Sequence, residues 1–324
     1  MKRKIFAVTL AVLTGLAMLT GCGSSSSSGP ASSSEDGSSS AQTASASSVS
    51  DELNSSTEIG EDQEILVVSF GTSYNDTRSQ TIGAIEEAIA EAYPDYSVQR
   101  AFTSQTIIDK LKERDNLEID NVEEALDRAV EAGVKTMIVQ PTHLMNGNEY
   151  NDLSDELDKY SGKFENLVLG DPLLTSDSDY DSVVSAITSA TKDRDDGETA
   201  ICFMGHGTDA DSNSDYTKLQ QKLMDSGYEN YYVGTVEATP TVDDLINEIN
   251  QKGTYKNVVL EPLMVVAGDH ANNDMAGDSS DSWKSKFEAA GYNVDCIMEG
   301  LGANKDIQQI YVQHVQDSID SLSK

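Results

Sequence analysis

Residues 199–207 read TAICFMGHG. The run up to Gly205 is apolar or small, and too short for an ordinary helix, so it reads as a strand buried on both faces. His206 then stands between two glycines where that strand ends, in a chain with only four histidines among 324 residues. A tight turn whose imidazole bonds a backbone carbonyl accounts for this by itself. A ligand site accounts for it equally well, because open parallel sheets bind ligands at the carboxyl ends of their strands.

Working outward, apolar β-branched runs alternate with amphipathic stretches along the rest of the chain. The first half offers EILVVSF (64–70), YSVQRAF (96–102), KTMIVQP (135–141) and ENLVLG (165–170). The second offers TAICFMG (199–205), NYYVGTV (230–236), KNVVLEP (256–262) and YNVDCIM (292–298). Between them lie helical patterns such as RSQTIGAIEEAIAEAY (78–93), NVEEALDRAVEAG (121–133), YTKLQQKLMDSG (216–227) and TVDDLINEINQKG (241–253), most ending near a glycine. This order predicts an α/β protein with a four-stranded parallel sheet in each half, helices on both faces. The expected divisions are an N-terminal lobe over 61–195, a C-terminal lobe over 196–303, and a last helix over 304–324 that packs back on the first lobe.

The halves superpose on each other. VVSFGTS (67–73) matches FMGHGTD (203–209), VQRAFTS (98–104) matches VGTVEAT (233–239), and KTMIVQPTHLMNGNEYND (135–152) matches KNVVLEPLMVVAGDHANN (256–273). The pattern reads as a duplication. It sets His206 opposite Phe70, Glu237 opposite Phe102, and His270 opposite Glu149.

His206, Glu237 and His270 thus follow three successive strands of the second half. Two imidazoles and a carboxylate are a borderline donor set for Co, Fe, Ni or Zn, with positions left open for a substrate. Each residue also has a plain structural reading, as a turn, a residue before a helix, or a polar cap. His143, which follows the third strand of the first half, either lines the cleft from the opposite side or is a satisfied structural residue, and the structural reading is preferred; His314 reads as solvated surface on the last helix. The acidic stretch GDHANNDMAGDSSDSW (268–283) lacks EF-hand spacing and reads as a mobile loop over the cleft. Neither SFGTS (69–73) nor MGHGT (204–208) forms a dinucleotide fingerprint or phosphate loop, so no nucleotide is expected. No G-x-S-x-G elbow marks a serine hydrolase.

The chain begins with a basic start, a short apolar stretch and Leu19-Thr20-Gly21-Cys22. That reads as an export signal over 1–21 closed by a lipobox, with Cys22 lipidated and the protein anchored to the outer face of the bacterial cell membrane, or to the periplasmic face where there are two membranes. A Ser-rich tether follows over 22–60, too poor in apolar groups to order itself. A flexible segment of about 35 residues spans roughly 30–35 Å. The formal charge is −34, or −37 once Lys2, Arg3 and Lys4 leave with the signal, which excludes nucleic acid and anionic lipid as partners. The remaining Cys202 and Cys296 read as two buried free thiols. A homo-oligomer stays open.

The stretches LVVSFGTSYNDTR (66–78), RAFTSQTIIDKLKERD (100–115), NGNEY (146–150), FMGHG (203–207), VGTVEATP (233–240), PLMVVAGDHANNDMAGD (262–278) and DSWKSKF (281–287) resemble the anaerobic sirohydrochlorin cobaltochelatases of cobalamin biosynthesis. The similarity covers essentially all of the folded part. It implies a chelatase-like fold of two Rossmann-like lobes with the site in the cleft between them. It also implies that His206, Glu237 and His270 bind Co2+, that His206 accepts a proton, and that the partner is a sirohydrochlorin-type tetrapyrrole. Metal insertion removes two pyrrole protons, and an imidazole accepts one near neutral pH. Phe70 and Phe102 would then form an apolar wall under the ring.

Two features depart from that expectation. Sirohydrochlorin is a polycarboxylate, repelled by an acidic protein over roughly 8 Å at physiological salt; Arg78, Arg100 and Lys284 are the local bases expected to offset this. Cobalamin assembly is cytoplasmic, whereas this chain reads as exported. The alternative function is an extracytoplasmic lipoprotein that binds metal or tetrapyrrole for uptake or delivery. A hydrolase using the metal to activate water is a third.

Overall fold

The computed structural model describes residues 62–323. The expected export signal, Cys22 and the Ser-rich tether lie outside the described residues. Among the described residues no helix is long and apolar enough to cross a membrane.

Strands β1 (Gln63–Ser69), β2 (Ser97–Phe102), β3 (Thr136–Pro141) and β4 (Asn166–Leu169) form one parallel sheet in the order β2-β1-β3-β4. Strands β5 (Thr199–Gly205), β6 (Tyr231–Thr235), β7 (Asn257–Pro262) and β8 (Asn293–Cys296) repeat it in the order β6-β5-β7-β8. The helices are α1 (Asn75–Arg78), α2 (Ala84–Ala92), α3 (Gln105–Asp115), α4 (Val122–Ala132), α5 (Asn148–Asp158) and α6 (Asp177–Ala190), then α7 (Ser214–Asp225), α8 (Val242–Lys252), α9 (Trp283–Ala289) and α10 (Lys305–Ser321). A π turn at Ser79–Gly83 joins α1 to α2.

The central strands lack polar alternation because both of their faces are covered. Ile65 and Val67 of β1 share a core with Ile201 and Phe203 of β5, together with Tyr311 and Val315 of α10. Leu66 and Val68 face the first lobe's outer helices, while Ala200, Cys202 and Met204 face the second lobe's. One core cluster therefore runs through both halves. Helix α10 fastens it from the first-lobe side: the Tyr93 hydroxyl donates to the Val312 carbonyl at 2.7 Å, and the Tyr311 hydroxyl to the Thr142 carbonyl at 2.9 Å.

Strand pairing revises part of the internal superposition. Val68 pairs with Pro141 and Met204 with Pro262, so Phe70 does match His206 and the third strands match as expected. Ser69, however, pairs with Phe102, whereas Gly205 pairs with Thr235. The second strands are thus offset by two residues, and Phe102 corresponds to Thr235 rather than Glu237. The glycine turns agree. A Cβ on Gly71, at φ +96°, would meet the Phe102 ring, and one on Gly207, at φ +88°, would meet the Thr235 Cβ.

Other expectations also change. His314 is buried, not solvated: it shares a face of α10 with Ile307, Ile310, Tyr311 and Val315, the i, i+3, i+4 spacing of a core stripe. Its Nδ1 donates to the Asp171 carbonyl at 3.1 Å. Cys202 is buried, but Cys296 is only half-buried. Phe102 is fully buried, so it belongs to the core rather than to a cleft wall. Arg78 and Arg100 are buried too. Arg100 forms a two-pronged pair with Glu86, Nε to Oε1 at 2.7 Å and Nη2 to Oε2 at 2.5 Å. Neither arginine meets an incoming ligand.

Candidate metal centre

A cleft of about 860 Å³ opens where the loops after β1, β3, β5 and β7 converge. This lies within the usual size of small-molecule and cofactor sites, roughly 300–1,000 Å³.

His206 follows the last residue of β5, and its Nδ1 lies 2.7 Å from the Gly207 carbonyl oxygen. A carbonyl only accepts, so Nδ1 carries the hydrogen and Nε2 keeps its lone pair. Glu237 is carried beside it by backbone pairing that continues beyond the strands. The Val236 amide donates to the Gly205 carbonyl at 3.0 Å, and the Glu237 amide to the His206 carbonyl at 2.9 Å. The result sets His206 Nε2 3.9 Å from Glu237 Oε1.

His270 arrives from the loop after β7. The stretch expected to be a mobile loop is locally helical, with His270 capping a π turn at Ala271–Met275. Its ring stands edge-on to that of His206, centroids 4.7 Å apart. One donor atom from each of His206, Glu237 and His270 falls within 4.8 Å of the others. Donors at about 2.0–2.2 Å from one ion lie roughly 3–4 Å apart, so small side-chain movements let all three reach a single divalent cation. All three are accessible, with His270 the most sheltered.

The glycines flanking His206 have structural causes. A Cβ on Gly205 would come within 2.2 Å of the Tyr216 ring. The Tyr216 hydroxyl accepts from the Gly207 amide at 3.2 Å, so the tyrosine braces the turn that carries the histidine.

Three further residues, His143, Glu149 and Asp274, acquire a place at the site. His143, expected to be structural, lines the cleft almost wholly buried, and desolvation pushes its pKa down to about 4. Neither ring nitrogen has a hydrogen-bond partner, and Nε2 lies 3.6 Å from Glu149 Oε2. Partial desolvation in the cleft raises the Glu149 pKa, against the opposing effect of nearby His206, while the side chain stays 52% exposed. Asp274 accepts from His270 Nδ1 at 2.7 Å. Its only trace in the sequence is the i, i+4 spacing from a histidine, which also occurs on countless helix surfaces.

Residues 63–320 match the model of the Cobalt chelatase (CbiK) family. The chain belongs to the CbiK cobalt chelatase family. It is accordingly a metal chelatase, of the lyase class. Among its relatives, a sirohydrochlorin cobaltochelatase of Salmonella typhimurium is 39% identical over 256 residues, spanning 79% of this chain and 96% of that protein. The sirohydrochlorin cobaltochelatase CbiKC of Nitratidesulfovibrio vulgaris is 29% identical over 260 residues, spanning 80% and 91%. Among solved structures, SirB from Bacillus subtilis with Fe3+ superposes with a TM-score of 0.59 at 14% identity, covering 82% of this chain and 98% of that one. The Bacillus subtilis subspecies spizizenii SirB in complex with cobalt gives 0.56 at 13% identity, covering 81% and 97%. This chain thus shares the two-lobed chelatase fold.

Proposed function

We propose that this CbiK-family chelatase inserts Co2+ into sirohydrochlorin, as its relatives' names state for them, and that the reaction belongs to cobalamin biosynthesis. The observation that carries the reading is the convergence of His206, Glu237 and His270 on one open cleft. Two imidazoles and one carboxylate hold a divalent ion firmly enough to position it, and leave coordination sites for ring nitrogens. The same donors accept Fe2+, Ni2+ or Zn2+, so cobalt is taken as the substrate from the family.

Insertion forms metal–nitrogen bonds as two pyrrole N–H bonds break, and two protons must leave. His206 Nε2, released from the ion, takes one. Glu149, whose proton affinity is raised by partial desolvation in the cleft, is suited to take the second. Protein ligands are exchanged for ring nitrogens one at a time, so the ion is never bare.

The N-terminal sequence supports export and lipidation at Cys22, with the folded part held off the membrane by the tether. Loss of acyl labelling on Cys22→Ala tests this. An exported location favours the second reading, a receptor that binds metal or tetrapyrrole for uptake or delivery. One experiment separates the two. Purified protein is mixed with excess sirohydrochlorin and Co2+, and the tetrapyrrole spectrum is followed. Many turnovers per chain, abolished by His206→Ala, support the chelatase; stoichiometric binding without turnover supports the receptor.

A further inference from the structure

The first lobe's side of the cleft contributes nothing to the His–Glu–His cluster, yet it is built for a ligand. Phe70 occupies the position that matches His206 in the second lobe, and its side chain is turned out rather than in. It is 49% exposed, beside the fully buried Phe102. Phe102 explains the contrast: its ring packs against the left-handed Gly71 turn, where a Cβ would stand 2.6 Å from it, so the core space beneath the turn is taken. Of the exposed large hydrophobic side chains among the described residues, Phe70, Tyr74, Met224 and Met298, the two aromatic ones both line the cleft. Aromatic faces left in water on a cleft wall mark a surface that a flat apolar ligand covers.

Charge is distributed just as unevenly. Among the described residues lining the cleft, Lys110 on α3 is the one lysine or arginine. The second lobe faces it with Asp209, Glu237 and Asp269, and the first lobe's own side adds the carboxylate of Glu149. Arg78 and Arg100 are buried in the first lobe and are not on the wall. A polyanion entering a chain of formal charge −34 therefore meets a single lysine or arginine among the described residues that line the cleft. Beyond roughly 8 Å the acidic remainder of the surface is screened, so this local cation decides how the ligand is oriented.

We infer that Phe70 and Lys110 form the docking wall for the macrocycle, an assignment that rests on the tetrapyrrole reading above. Phe70 lies under one face of the conjugated ring, and Lys110 takes a peripheral carboxylate at its edge. The carboxylates are thereby turned away from Asp209 and Asp269, and the ring nitrogens toward the second lobe.

Fluorescence titration of the full chain with metal-free uroporphyrin, a flat polycarboxylate, tests the assignment. Phe70→Ala weakens binding by about tenfold or more, Phe70→Tyr restores it, and Lys110→Glu weakens it and flattens its salt dependence. Coproporphyrin, with half as many carboxylates, loses less on Lys110→Glu. Co2+ affinity without porphyrin stays at the wild-type value in every variant, because neither side chain belongs to the metal cluster. Both are exposed, so the variants fold, which circular dichroism verifies. Wild-type constants and salt slopes in both variants would overturn the assignment while leaving the tetrapyrrole reading intact. Failure of the wild-type chain to bind the porphyrin would overturn both.

Discussion

His270 Nδ1 and Asp274 Oδ2 lie 2.7 Å apart across one turn of the widened helix that follows β7. Because the carboxylate accepts, Nδ1 holds the hydrogen, and Nε2 is the nitrogen left to bind an ion. The hydrogen bond also fixes the ring's rotation. Carboxylates in this position orient metal-binding histidines and make them better donors. Asp274→Ala should therefore lower Co2+ affinity by about 10–100-fold, and Asp274→Asn, which keeps an acceptor, by less. Titration of the Co2+ visible absorption measures this, with thermal unfolding as a control for global damage. Equal affinities in wild type and both variants would show that Asp274 is incidental.

Gly207 ties the same site to the backbone. At φ +88° an L side chain is strained, and a Cβ would stand 2.8 Å from the Ala238 amide nitrogen. Gly207→Ala should cost about 1–3 kcal/mol of stability. It should also weaken metal binding, since the loop it displaces carries Glu237. Urea unfolding and Co2+ titration on one preparation test both effects. A stable variant with unchanged affinity would contradict the account of this turn.

Glu261 on β7 provides a pH test away from the cleft. Burial, helped by Glu299, pushes its pKa from 4.5 up to about 8. The folded state therefore keeps a proton that the unfolded chain has already released between these values, and stability falls as pH rises through that window. Glu261→Gln should flatten this part of the profile and make the protein relatively more stable at pH 8 than at pH 5. Chemical denaturation at several pH values measures the slope. An unchanged slope would rule out Glu261 as its source.

The Arg100–Glu86 pair is almost completely buried on both sides. Removing one partner leaves the other charge in the core, so Glu86→Ala should cost about 3–5 kcal/mol. The expected readout is a lower denaturation midpoint, with the substrate KM of the remaining folded protein unchanged. A raised KM at full stability would instead return Arg100 to substrate binding.

The strands were legible because their β-branched runs are buried on both faces, and few other environments tolerate seven consecutive residues such as TAICFMG. His206 and His270 stood out by rarity and by their places after strands. Glu237 was found through a superposition of β2 on β6 that is two residues out of register. The offset was invisible because VQRAFTS and VGTVEAT share a pattern without sharing a pairing. His314 was misread because the helix that carries it is polar along most of its length, and only packing on α2 and β3 shows which stripe is covered. Asp274 and Lys110 had no distinguishing signal, since single charges on amphipathic helices are ordinary.

The sequence by itself determined the alternation of strands and helices, the repeat of one plan in two halves, and the donor types available at the strand ends. These are local properties, set by side-chain chemistry over a few residues. Only the tertiary structure decided which donors meet, which aromatic of the Phe70 and Phe102 pair reaches solvent, and which cations remain outside the core. Those outcomes depend on contacts between distant segments. The His206 carbonyl accepting the Glu237 amide, and the Phe102 ring filling the space beneath Gly71, are packing events that no short stretch of chain encodes alone.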